Sequence, residues 1–178
     1  TPGYLWRHGC GPTAVGMVIG YYDTHGCPNL IPGDASTQTS DVDQAIASQG
    51  SGVVGSGVQK HYEDYSLPND DGLSSVLPDR SVTYPTGCHT NDSVADFMHT
   101  SWSADGLFYG WSSSLQIDPA FSSFVSLRDS SLIHTCQQYY MGSTLTWSVV
   151  KNEIDNDRPM VFLVDSDQLQ ASQGSKQR

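Results

Sequence analysis

Cys10 has the local sequence of a reactive thiol. It stands in Trp6-Arg7-His8-Gly9-Cys10-Gly11-Pro12-Thr13-Ala14, with a glycine on each side and a proline next. Proline suits the first turn of a helix, where its missing N–H has no partner to lose. The stretch therefore predicts a helix beginning beside the sulfur. Unpaired N–H groups and the positive end of the helix dipole stabilise a thiolate and draw its pKa below the reference of about 8.5. The Cys10 N–H is also a donor for an oxyanion on an attacked carbonyl. Gly9 and Gly11 leave room for a substrate backbone and shape the turn. The plain alternatives are a small buried cysteine in a glycine-rich turn and one half of a disulfide.

A nucleophilic thiol needs a base to form thiolate and to protonate the leaving group. Two histidines are candidates. His8 lies two residues before Cys10, and His134 lies in the strand-like run Leu132-Ile133-His134-Thr135-Cys136. His61, His89 and His99 read as surface or structural residues. The pairs His8-x-Cys10, His25-x-Cys27 and Cys88-His89 contain zinc-ligand types, but none has the Cys-x-x-Cys spacing of a structural zinc site. Asp165-Ser166-Asp167 and Asn69-Asp70-Asp71-Gly72 offer oxygen ligands for calcium without completing a recognised loop. No metal or other cofactor is therefore assigned.

The elements that position these groups follow from pattern. Pro12 to about Thr24 is the clearest helix, apolar nearly all round, as a helix buried in a core must be. A short helix is predicted near Asp41–Ser48, capped by Ser40 with Asp43 completing a capping-box variant. Another, capped by Thr90 or Asn91, carries Val94, Phe97 and Met98 on one face. Leu107–Trp111 reads as a short strand. Thr144 to about Asp155 reads as a helix, and Pro159–Val164 as a buried strand. Helix first and strands late indicate an α+β fold in a single domain over residues 1–167. Residues 168–178 are polar and read as a disordered tail.

Composition narrows the partners. The 178 residues carry 8 Lys and Arg against 19 Asp and Glu, a formal net charge of −11. That balance opposes a nucleic-acid surface, which needs a positive field, and binding to an anionic membrane. No apolar run approaches the roughly 20 residues that span a bilayer. The first residue is Thr1, which fits a processed product whose targeting segment has been removed. Acidic balance, scarce lysine and Ser/Thr/Asp/Gly-rich loops point to secretion. Asn91-Asp92-Ser93 matches a glycosylation sequon. Cys10, Cys27, Cys88 and Cys136 allow three full pairings, among which sequence does not choose.

Trp6-x-x-Gly9-Cys10-Gly11-Pro12-Thr13-Ala14, continuing through Gly16-Met17-Val18-Ile19-Gly20-Tyr21-Tyr22-Asp23, resembles the nucleophile segment of bacterial papain-like cysteine peptidases. The group it is most similar to is the bacteriocin-leader-processing type and its secreted C39-like relatives. Trp147, Ile154-Asp155 and Arg158-Pro159-Met160-Val161 through Asp165 resemble the helix and strand that precede that family's catalytic histidine. Cys88–Trp111 resembles an insertion found in such relatives. The resemblance implies a papain-like α+β fold, with the N-terminal helix buried on a small antiparallel sheet. It also implies hydrolysis of peptide bonds through a Cys10 thioester, with a peptide or protein as substrate.

Two departures stand beside it. The family's oxyanion glutamine is expected about six residues before the nucleophile, where this chain has Tyr4. Its histidine is expected soon after the Val161–Val164 strand, where Gln168-Leu169-Gln170-Ala171-Ser172 stands, and no histidine follows His134. Three readings stay open: the chain ends before the histidine strand, it is an inactive relative that binds or self-assembles, or another histidine has moved in. His134 is the candidate for that last role, because the family's base sits on a strand. Loss of the histidine strand would leave an open sheet edge, a surface for self-association.

Overall fold

A computed structural model describes residues 1–5, 9–47, 91–100, 107 and 110–164. They form five α-helices and one 3₁₀ turn: α1 (Cys10–Thr24), α2 (Ser40–Ile46), α3 (Val94–Phe97), the 3₁₀ turn (Ser114–Gln116), α4 (Ile117–Arg128) and α5 (Trp147–Asp155). The central element is α1, which packs against α2, α3 and α4, while α3 and α4 also pack on each other. Val15 and Ile19 face inward from α1 and meet Val42 and Ile46 of α2, Val94 and Met98 at α3, and Phe124 and Val125 of α4 in one buried cluster. Gly16 and Gly20 allow the close approaches. A Cβ on Gly16 would lie 2.5 Å from Ile46 Cγ1, and one on Gly20 would overlap the Tyr4 hydroxyl.

The expected α+β, papain-like architecture is corrected by this structure. The described residues contain no strand, and their one ladder-type pairing is an isolated bridge between Met141 and Leu145. The N-terminal helix is buried as expected, but on other helices instead of an antiparallel sheet. Pro159–Val164 is neither paired nor buried: Phe162 is 53% exposed, Leu163 79% and Val164 77%. Its β-branched and apolar run fits a pleated surface, but none of the described elements supplies a neighbouring strand. His134 likewise lies on irregular backbone, with Ile133 fully exposed beside it. Of Leu107–Trp111, the described residues 107, 110 and 111 are not in a strand, and Gly110 sits in a turn.

The starts of α2, α3 and α5 fall where side chains can satisfy free N–H groups, a position or more from those expected. Thr39, not Ser40, caps α2, its hydroxyl accepting from Val42 N at 3.1 Å. Ser93, not Thr90 or Asn91, caps α3. There Ser93 Oγ accepts from Asp96 N, while Asp96 Oδ2 accepts from Ser93 N at 3.0 Å and from Asp92 N at 2.9 Å. This reciprocal box lets a four-residue helix exist in the core. Thr146 caps α5, later than the expected start at Thr144. The stretch 168–178 and the Gly/Ser/Val-rich residues 49–60 lie outside the described residues.

Candidate functional site: Cys10 at the start of α1

Cys10 is itself the first residue of α1, two residues earlier than Pro12. Gly9 precedes the helix with φ 109° and ψ 145°, an extended left-handed conformation that L side chains rarely adopt. Its carbonyl accepts from Thr13 N at 3.4 Å and from the Thr13 hydroxyl at 2.9 Å. No side chain caps this helix start and no acidic residue occupies its first turn. The N–H groups of Cys10 and Gly11 thus belong to the unpaired set at a helix N-terminus, and Pro12 removes one competitor. The thiol is free and exposed. Among the described residues nothing hydrogen-bonds its sulfur.

His134 is not brought to Cys10 by any contact. Its ring meets Phe121 edge-on at 6.0 Å, and its Nδ1 lies 3.3 Å from the Leu132 carbonyl. Phe121 in turn packs on Tyr22, at 6.3 Å between centroids. Tyr22 lies near the far end of α1, about 18 Å along the axis from Cys10 at about 1.5 Å per residue. His8 lies outside the described residues, as do His61 and His89. His25 closes the other end of α1, stacked on Tyr21 at 4.1 Å with Nδ1 2.8 Å from the Tyr21 carbonyl.

Tyr4, at the position expected to hold an oxyanion glutamine, does structural work instead. Its hydroxyl donates to the Ala35 carbonyl at 2.5 Å and lies over Gly20, far down α1 from Cys10. Burial, and then the negative charges of Asp23 and Asp34, push its hydroxyl up to about 12. Asp23 is buried, and its Oδ2 accepts from Ile31 N at 2.9 Å, which fixes the loop after α1. The N–H donors beside Cys10 among the described residues are backbone groups of the Gly9–Gly11 turn.

The remaining thiols differ from Cys10. Cys27 is free and half-buried against the core. Cys136 is free and half-buried, and burial followed by the Asp118 carboxylate raises its pKa. Cys10, Cys27 and Cys136 are therefore not bridged, and Cys88 lies outside the described residues. No group of three or more His, Cys, Asp and Glu side chains among the described residues is arranged to hold a metal ion. The acidic runs at 69–72 and 165–167 lie outside them. No helix among the described residues is long and apolar enough to cross a membrane.

Comparison with protein-family models, with curated proteins and with solved structures gives no match. The residues that sequence reasoning missed are those beneath the cysteine turn: Met98, Gly110 and Ser112. Met98 was legible only as one apolar position on a short helix. Nothing local to Gly110 or Ser112 signals a contact across so much of the chain.

Proposed function

We propose that Cys10 is the nucleophile of a thiol-dependent, peptide-bond-cleaving site. The observation that carries this reading is an exposed, free cysteine at the first position of a fifteen-residue helix, with an uncapped N-terminus and no acidic first-turn residue. The chemistry is acyl transfer. The thiolate attacks the peptide carbonyl carbon, and the turn's N–H groups bind the resulting oxyanion. The C–N bond then breaks, the amine leaves with a proton, and water hydrolyses the thioester. The resemblance of residues 6–23 to secreted C39-like peptidases supports the same reaction and an extracellular bacterial setting. No described histidine hydrogen-bonds Cys10, so the base is sought among His8, His61 and His89.

Site-resolved alkylation tests the reading. With iodoacetamide at pH 6, Cys10 reacts at least about tenfold faster than Cys27 or Cys136, because it is exposed at a helix start while both of the others are half-buried. Hydrolysis of an unstructured peptide disappears in Cys10→Ser. Equal alkylation rates at the three sites would remove the nucleophile.

A second reading has its own support. Phe162, Leu163, Val164, Ile133 and Met141 are all more than half exposed, and Pro159–Val164 is irregular, without a ladder partner among the described residues. A non-catalytic module that binds a partner or its own copies through this apolar surface fits those facts. The segment is irregular and unpaired among the described residues, not the sheet edge expected from sequence.

A further inference from the structure

The segment that follows α4 lies on the helices with a period of two. Leu132 packs against the buried core, the His134 ring meets Phe121 edge-on at 6.0 Å, and Cys136 lies beside the Asp118 carboxylate. Asp118 and Phe121 stand three residues apart on α4 and so share a face. Between these inward residues, Ile133 is 100% exposed, and Thr135 and Gln137 are exposed as well. Facing one side with every second residue is the placement of a β-strand. The chain also passes from Leu132 to Tyr140 with no turn or bend. Only the ladder is missing. Among the described residues, the main-chain groups of Ile133 to Tyr139 make no backbone–backbone hydrogen bond, although each residue carries a donor and an acceptor.

This edge carries none of the usual guards. From Ser130 to Val150 the sequence has no Asp, Glu, Lys, Arg or Pro, and charges and prolines are what blunt exposed edges in other proteins. The formal net charge of −11 is therefore carried elsewhere, and two copies repel least where these neutral stretches meet. A basic partner, the electrostatic complement of the chain as a whole, finds no carboxylate here to pair with. A second copy offers the same neutral edge in return, and the segment continues into Tyr140 at 54% and Met141 at 85% exposure. We propose that residues 132–137 pair antiparallel with the same residues of a second copy, forming a two-stranded ladder across a two-fold axis. The proposal rests on the reading of the chain as a module that binds its own copies, and it names the segment and the bonding. A register slip of one residue would set inward side chains against outward ones. Both inward faces stay on the helical side when His134 or Thr135 lies on the axis.

The test follows the full chain in reducing buffer at physiological salt, by sedimentation and by hydrogen exchange resolved by mass spectrometry. A ladder of this length is small beside the roughly 800 Å² per partner of a standard interface. A discrete dimer is therefore expected only as concentration rises to about 100 μM, and it dissociates on dilution. In the dimer, exchange at the amides of residues 132–137 is at least about tenfold slower than in the dilute monomer. Ile133→Lys has no monomer contact to lose, since the side chain is fully exposed. It weakens the dimer at least about tenfold and leaves the melting temperature of the dilute chain unchanged. Open-ended fibres in place of a dimer overturn the two-fold closure. A dimer whose 132–137 amides exchange as in the monomer, and which Leu163→Asp weakens while Ile133→Lys does not, overturns the ladder and leaves residues 159–164 as the contact. A chain that stays monomeric up to about 1 mM removes both the ladder and the self-binding reading.

Discussion

At the residue scale, the polar groups that matter lie at the two ends of α1 and have opposite environments. Cys10 is open to solvent at the positive end, whereas Tyr4 is buried where α1 nears its close. In the unfolded chain a tyrosine titrates near 10, and in the fold Tyr4 is pushed up to about 12. The folded state therefore keeps its proton to higher pH. The stability tied to that proton is complete below about pH 10 and is lost as pH climbs toward 12. Tyr4→Phe loses the bond to Ala35, a cost of about 1 kcal/mol near neutrality, and it removes the titration as well. The stability gap between the two proteins, measured by urea denaturation, should narrow from pH 8 to pH 11. A constant gap across that range would contradict the assignment. The sequence marks Cys10 clearly, since glycine, proline and cysteine each act through local backbone rules. Tyr4 drew no structural reading from sequence because its partners, Gly20 and Ala35, are joined to it only by tertiary packing.

At the element scale, four of the five described helices were legible, while α4 (Ile117–Arg128) was missed and the expected strands were not found. The all-round apolar pattern of α1 is intrinsic to its sequence, and so are the threonine and serine caps within a residue or more of the true starts. A strand differs, because its ladder needs a neighbour. The run at 159–164 has strand composition, but among the described residues it has no neighbour to pair with. The shortest helix is the most dependent on its ends. Four residues cannot nucleate alone, so α3 exists through the Ser93–Asp96 box and burial of Val94 and Ala95. Ser93→Ala leaves the buried Asp96 N–H without its acceptor and should destabilise the protein by about 1–2 kcal/mol. A urea midpoint unchanged from the parent would show that the box adds nothing to packing.

At the scale of the whole molecule, α1 to α4 share one core, while among the described residues the segment after α4 carries most of the exposed large apolar side chains. Such surfaces associate unless charges or prolines blunt them. The net charge of −11 opposes association over long range but is screened within roughly 8 Å at physiological salt. Light scattering should therefore show self-association that grows with protein and salt concentration, and Leu163→Asp should suppress it severalfold. A monodisperse parent at high salt would argue that this surface is inert.

The contact of Gly9 with Gly110 spans more than half the chain. Such a contact is closed late, after the entropy of a long loop has been overcome. Until then Cys10 belongs to a turn without its platform. If Cys10 is the proposed nucleophile, its site is complete only once the Gly110 turn has docked, which ties its chemistry to assembly of the core.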